Sequence, residues 1–260
     1  MGQKLDNAVG LYMEGINQGK PHEALDKYIG DRYTQHSTGV ADGKEGFLEF
    51  FIPFLKRNPV RDIQVKRTIE DGQYVFVHVH QSLNNGEWYY VTADIFDTDS
   101  NDKIIEHWDV IQEEVKETVS GRTMVDGTTE IEDLDKTEDN RKVITGFVNN
   151  VLIGGDFDQV TTYISTEEYL QHNPAVGDGL EGFGKFAQEL VAAGTPMKYE
   201  KVHKVLVQGN FAASLSHVKL GDEDWCVIDI FRVKDGKIVE HWDVMEKIGP
   251  QDTWNNSGKF

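Results

Sequence analysis

The chain has 260 residues, enough for one large domain or two small ones. Hydrophobic residues are 38% and aromatic residues 10% of it, which is ample material for packed cores and excludes a disordered chain. With 45 acidic against 26 basic residues the formal net charge is -19. Such a surface repels phosphate backbones and anionic lipid, so neither nucleic acid nor a membrane is expected as a partner. The single cysteine, Cys226, excludes an intrachain disulfide and a cysteine-cluster zinc site. The opening MGQKLDNAVG has no basic start followed by an apolar run, and Asp6 breaks the myristoylation pattern. No apolar run is long enough to span a bilayer, so the expectation is a soluble, cytoplasmic protein.

Along the chain, Ala8, Leu11, Tyr12 and Ile16 recur at helical spacing until Gly19 and Pro21 end the segment, and a short second helix follows over 22–29. The turn Asp42-Gly43 precedes a third helix over 44–56, with Pro59 just past its end. The pattern then becomes β. Residues 63–69 alternate, Asp71-Gly72 signals a hairpin, and strands are predicted over 74–83, 88–96 and 103–112, the first two joined at Asn85-Gly86. Residues 126–139, DGTTEIEDLDKTED, hold seven acids and one lysine. They read as a solvated linker, or as an arm lying over the first copy. Beyond them Val143, Phe147, Val151 and Leu152 repeat the helical spacing until Gly154-Gly155. A helix over 180–193 precedes Pro196, and strands are predicted over 199–207, 211–220, 225–233 and 237–247.

The second half repeats the first. Tyr33-Thr-Gln-His36 with Asp42-Gly43-Lys-Glu-Gly46-Phe47 returns as Tyr169-Leu-Gln-His172 with Asp178-Gly179-Leu-Glu-Gly182-Phe183. Asp94-Ile-Phe96 returns as Asp229-Ile-Phe231, and Lys103-Ile-Ile-Glu-His107-Trp108-Asp109-Val110 as Lys237-Ile-Val-Glu-His241-Trp242-Asp243-Val244. Ser120-Gly-Arg-Thr-Met124 has an echo in the terminal Ser257-Gly-Lys-Phe260. Several motifs in one order at nearly constant offset mean a tandem duplication. Copy one takes residues 1–125, an acidic linker 126–137, and copy two 138–260. Three helices followed by a curled antiparallel meander make each copy an α+β cone, its helices closing one end of the curved sheet.

His172-Asn-Pro174, Gly179-Leu-Glu-Gly182-Phe183 and the run from Asp229-Ile-Phe-Arg to Glu240-His-Trp-Asp243 resemble the SnoaL-like polyketide cyclases, of the nuclear transport factor 2-like superfamily of α+β cones. The resemblance covers nearly all of both copies. It implies an intramolecular aldol condensation that closes a polyketide ring without metal or cofactor, and a pocket Asp as general acid/base, at the positions of Asp109 and Asp243. The earlier position that is a His in the characterised cyclases is Asp94 and Asp229 here. Copy one departs further, with His36-Ser-Thr-Gly39 in place of His-Asn-Pro and Asp97 where copy two has Arg232.

Strand alternation puts His107 and Asp109 on one face of the last strand and Glu106 and Trp108 on the other; His241 and Asp243 repeat the pattern. If the His/Asp face points into the cone, each copy aims an imidazole and a carboxylate at one cavity, joined by Asp94 or Asp229 from the neighbouring strand. Desolvation and like charge would raise one carboxyl pKa toward neutrality, which suits a proton-transfer group. The same residues also fit a structural polar pair under the sheet. His36, His172, Tyr74, His80 and its counterpart His217 are further candidate pocket residues, and Phe47, Phe183, Phe50, Phe51 and Phe186 candidate core and lining. Glu106 and Glu240 are expected to face solvent or a domain interface. His78-Val-His80 has the spacing of two metal ligands, but copy two carries Leu215 at the first position, so no metal is expected.

These features point to a cofactor-independent acid/base enzyme on a small hydrophobic carbonyl compound, of the aldol cyclisation, isomerisation or dehydration class. Asp109, Asp94 and His107 would serve copy one, and Asp243, Asp229 and His241 copy two. The alternative is a non-catalytic binding protein for a small hydrophobic molecule using the same pockets, or a division of labour in which only copy two works. Single-domain relatives usually pair through the outer sheet face, so the fused copies are expected to form an intramolecular pseudo-dimer within a monomeric chain, with Trp88, Trp108, Trp225 and Trp242 at the seam.

Overall fold

The structure, a computed structural model, describes residues 2–260. The chain divides into two compact units, Met1–Glu113 with Gly249–Phe260, and Glu114–Ile248. The copies of the sequence and the units of the structure are therefore cut differently. The segment after the last strand of copy one belongs to the second unit, and the chain's last twelve residues belong to the first. Among the described residues no helix is long and apolar enough to cross a membrane.

In the first unit, α1 (Gln3–Gly10) runs on as a π-helical stretch, Leu11–Asn17. Its apolar face, Leu5, Ala8, Leu11, Tyr12 and Ile16, is buried. Helix α2 (Pro21–Tyr28) starts on a proline, whose missing N–H costs nothing there. Then come β1 (Ile29–Gln35), α3 (Gly43–Arg57), β2 (Arg61–Asp71), β3 (Tyr74–Leu83), β4 (Trp88–Thr98) and β5 (Ile104–Glu113). The sheet order is β1-β5-β4-β3-β2, antiparallel except that β1 runs parallel to β5.

The second unit repeats this plan. It has α4 (Thr137–Phe147) with a π-helical continuation Val148–Ile153, a short α5 (Val160–Tyr163), β6 (Leu170–Gln171) and α6 (Gly179–Ala192). β7 (Met197–Gln208), β8 (Phe211–Leu220), β9 (Glu223–Lys234) and β10 (Lys237–Lys247) complete a sheet of order β6-β10-β9-β8-β7. The acidic stretch is hydrogen bonded to this unit: the Asn210 N–H donates to the Glu132 carbonyl at 3.0 Å, the Glu132 N–H donates to Asn210 Oδ1 at 2.9 Å, and the Asp126 carbonyl accepts from the Trp242 indole at 2.8 Å. These residues belong to the second unit.

The helices and the meander strands lie within a few residues of their sequence positions. The edge strands β1 and β6 were not anticipated. Neither alternates, and each exists because its last strand, far off in sequence, offers a free edge.

The repeated Asp-Gly-x-Glu-Gly-Phe motif now has a physical reading. Asp42 and Asp178 turn back to accept the backbone N–H of Gln35 (2.7 Å) and Gln171 (2.8 Å). Gly43 and Gly179 then enter their helices at φ of +84° and +76°, where a side chain is strained. A Cβ on Gly46 or Gly182 would collide with the carbonyl of Ala41 or Gly177, and the Phe that follows faces the interior. Gly182→Ala is expected to lower stability by about 1–3 kcal/mol. Gly184→Ala, on the same helix but with open space around its Cβ, should be neutral or stabilising by up to about 1 kcal/mol. Urea denaturation of both variants checks the pair; equal effects would contradict the close approach.

Candidate active site

Cross-strand register builds the site. Asp94 on β4 lies opposite Asp109 on β5, and Phe96 opposite His107, so all four face one way. In the second unit Asp229 is opposite Asp243 and Phe231 opposite His241. This face borders a cavity of about 340 Å³ in the first unit, walled by Phe47, Phe50, Phe51, Trp88 and Tyr90. The second unit's cavity, about 270 Å³, is walled by Phe157, Phe183, Phe186, Leu190 and Met197. Each hollow is mostly apolar with a few convergent polar groups at its base.

In the first unit His107 Nε2 meets Asp94 Oδ1 at 2.8 Å, and its Nδ1 donates to Gln35 Oε1 at 2.8 Å. The amide is held in that orientation because Oε1 also accepts the backbone N–H groups of His36 and Ser37, each at 3.1 Å. Nδ1 therefore carries the proton, and the Asp94 contact needs one more between imidazole and carboxyl. Tyr12 donates to both Asp94 oxygens at 2.8 Å. Burial raises the Asp94 pKa, against the pull of His107.

The second unit repeats the dyad. His241 Nε2 lies 3.1 Å from Asp229 Oδ1, and its Nδ1 is 3.0 Å from Gln171 Oε1. Tyr199 donates to Asp229 at 3.0 and 3.2 Å. Burial opposes charge on His241, yet the Asp229 hydrogen bond and the fields of Asp243 and Asp229 leave its pKa raised.

The tyrosines come from different elements. Tyr12 is on the π-helical stretch, where the second unit has buried Val148. Tyr199 is on β7 opposite Val218, where the first unit has buried Ile63 opposite Gln81. The phenol reaches the dyad from one wall in one unit and from another wall in the other.

The remaining carboxyls differ most. Asp109 Oδ1 accepts from Lys259 Nζ at 3.0 Å, and both residues are buried. Burial would raise its pKa, but Lys259, His107 and Ser37 hold it below the ordinary carboxylate value. Among the described residues no lysine or arginine pairs with Asp243. Asn173 donates to its Oδ2 at 2.6 Å, oriented by its own Oδ1 accepting from Ala175 N–H at 2.8 Å. Asp243 Oδ1 is buried without a hydrogen-bond partner. Burial, with Asp229 adding to it, pushes the Asp243 pKa up to about 6 despite His241.

Of the candidate residues, the six Asp and His side chains cluster with Phe47 and Phe183 at the cavities. Tyr74, His80 and His217 do not. In an antiparallel pair opposite residues share a face, and Asp94 is opposite Val77, so β3 turns Val77, Val79 and Gln81 inward and Tyr74, His78 and His80 outward. Tyr74 packs edge-on to Trp108, His80 stacks on Tyr89, and His217 pairs with Asp224 at 2.6 Å.

His36 and His172 are corrected too. They stack on Trp108 and Trp242 on the outer face, at 4.8 and 4.6 Å between rings. They hydrogen-bond Glu106 and Glu240, each at 3.0 Å, and those glutamates also pair with Arg32 and Arg232, Glu240 being fully buried. Their other ring nitrogens meet the carbonyls of Gly258 and Thr123. Trp88, expected at a seam, stands in the first cavity's wall.

Sequence reasoning missed Gln35, Gln171, Asn173, Tyr12, Tyr199 and Lys259 as site residues. Gln35 and Gln171 carried a signal, since Tyr-x-Gln-His stands in both copies. The tyrosines carried none, because neither is repeated. Metal donors converge at Asp94, His107 and Asp109, and at Asp229, His241 and Asp243, within 4.8 Å of one another in each set. In the first set Lys259 already supplies a positive charge. The His78 ring faces Arg67, whose Nη1 lies 3.2 Å from its Nδ1.

The Asp243 carboxyl holds its proton more tightly folded than unfolded. Its contribution to stability is complete below the unfolded carboxyl pKa and is lost as pH rises through about 6. Relative to Asp243→Asn, the wild-type protein should therefore lose up to about 3 kcal/mol between pH ~4 and ~6.5. Urea unfolding across that range tests this; parallel curves for the two proteins would contradict it.

The family model of the SnoaL-like domain matches residues 9–107 and again 144–241. No curated protein sequence matches the chain. Solved structures similar to it include wild-type IdmH, a putative polyketide cyclase from Streptomyces antibioticus, at 17% identity and a TM-score of 0.37, over 43% of this chain and 93% of that one. A putative ketosteroid isomerase from Kribbella flavida is 19% identical with a TM-score of 0.38, over 44% of this chain and 83% of that one. A putative SnoaL-like polyketide cyclase from Jannaschia is 16% identical with a TM-score of 0.37, over 42% and 85%. With the family pattern matched over most of its length, in two successive copies, the chain belongs to the SnoaL-like family.

Proposed function

We propose that the protein is a cofactor-independent acid/base enzyme acting on a small hydrophobic carbonyl compound, with the second unit as its reacting site. One observation carries this reading: Asp243 presents a buried, unpartnered oxygen beside an apolar cavity, on a carboxyl whose pKa is pushed up to about 6. A group poised near neutrality is both a usable base and, once protonated, a usable acid.

Asp243 Oδ1 accepts a proton from the carbon next to the substrate carbonyl. The C–H bond breaks, its electron pair becomes the enolate, and a carboxylic acid forms. His241, protonated between Gln171 and Asp229, supplies the positive charge that the developing enolate needs in a dry cavity. Return of the proton to a different carbon gives isomerisation. Attack of the enolate carbon on a second carbonyl gives aldol closure, and Asp243 then protonates the new alkoxide. Membership of the SnoaL-like family accords with chemistry of this kind.

The test uses 2-tetralone, a bicyclic ketone with acidic α protons, in deuterated buffer. Saturable deuterium incorporation is expected, rising with pH through about 6 as Asp243 ionises. Asp243→Asn should lower it about 100-fold or more. Undiminished incorporation in the variant would contradict the assignment of Asp243. Thermal stabilisation of the wild-type protein by the ketone with no incorporation would mean retention without chemistry.

A further inference from the structure

The two sites share a dyad yet differ in what faces their second carboxyl, and the difference comes from the segments that leave each meander. Residues 249–260 lie on the first unit. Asn255 N–H donates to the Thr38 carbonyl at 2.9 Å, Asn256 Nδ2 to the carbonyls of Ser37 and Val40 at 2.6 and 2.8 Å, and the Gly258 carbonyl meets His36 Nδ1 at 2.7 Å. Residues 114–125 lie on the second unit in the same manner. Val119 N–H donates to the Pro174 carbonyl at 2.9 Å, and the Thr123 carbonyl meets His172 Nδ1 at 2.8 Å.

Gly258 and Thr123 therefore hold equivalent places, and the residue after each is Lys259 and Met124. In sequence the shared Ser-Gly sets Lys259 against Arg122. In space Arg122 turns instead to Asp178, at 2.9 Å, and Met124 is the fully buried residue of that segment. One unit's segment thus carries a buried ammonium that reaches Asp109, and the other's carries a buried methionine whose sulfur accepts the Val115 N–H at 3.4 Å. The groups around Asp109 are Lys259 on the terminal segment, His107 beside it on β5, Asp94 on β4, Ser37 after β1, Tyr33 on β1 and Tyr12 on the π-helical stretch. Lys259 is the only lysine or arginine among these six.

We propose that Lys259 is the specificity-determining residue that separates the two sites. Paired with Asp109, it fixes that carboxyl as an anion, so the first cavity retains a hydrophobic carbonyl compound without exchanging its protons. The ligand class rests on the function proposed for the second unit; the charge lock does not. A carboxylate paired to an ammonium is a weak base and has no proton to return, whereas Asp243, beside the neutral amide of Asn173, has both capacities.

The experiment is a ¹³C NMR titration of the full chain with labelled aspartate, the Asp109 resonance assigned by its loss in Asp109→Asn. In the wild-type protein this resonance should stay that of a carboxylate down to about pH 4. In Lys259→Met, which places here the side chain that the second unit already buries, its midpoint should move up, above the ordinary aspartate value, because burial then acts without the ammonium that opposes it. Lys259→Arg should keep the anion. Wild-type Asp109 titrating together with Asp243, or a Lys259→Met resonance that does not move, would overturn the proposal. In the Asp243→Asn background Lys259→Met should raise 2-tetralone deuteration about tenfold or more. If the wild-type protein deuterates nothing, the enzyme reading fails while the titration still decides the role of Lys259.

Discussion

Two carboxyl groups and one imidazole buried together at the base of an apolar hollow set the terms for everything around them. Antiparallel register places Asp94 opposite Asp109 and Asp229 opposite Asp243, and neither pair can be fully ionised in such surroundings without a compensating charge. His241, its pKa raised, offsets one charge in the second unit, and in the first His107 hydrogen-bonds Asp94. The first unit neutralises Asp109 with Lys259, and the second leaves Asp243 to hold its proton toward neutral pH. The sites look alike in their dyads and are electrostatically unlike in their second acid.

The dyad depends in turn on a chain of orientation reaching back to the repeated motif. Asp42 holds the backbone of Gln35, Gln35 fixes the tautomer of His107, and His107 meets Asp94. Asp178, Gln171, His241 and Asp229 repeat the chain link by link. The glycines that follow Asp42 and Asp178 allow the helix to start close against the loop, which keeps that carboxylate in reach of the strand. The phenol that completes the network is free of this constraint. A donor to the dyad oxygens can come from any wall, and Tyr12 and Tyr199 come from different ones.

Much of this was legible in the sequence. The duplication, the helices, the four meander strands of each copy and the shared face of His107 with Asp109 all follow from local pattern. The errors have one physical character, which is that they concern pairing between distant segments. Tyr74, His80 and His217 were placed inward because alternation gives two faces but not which one looks in, and only the pairing of Val77 with Asp94 decides it. Strands β1 and β6 are too irregular to announce themselves and exist through their partners. His36 and His172 stand outside the cavities because they anchor segments whose return no local pattern foretells. Lys259, near the end of the chain, had no local reason to be joined to Asp109.

The account stands on the protonation of Asp243, and ¹³C NMR reads it directly. The carboxyl carbon of Asp243, followed from acid to neutral pH in the full chain, should titrate with a midpoint near 6, well above the ordinary aspartate. A midpoint in the ordinary range, about 3.9, would mean that water or an unrecognised cation already stabilises the carboxylate, and the proton-transfer role would be contradicted.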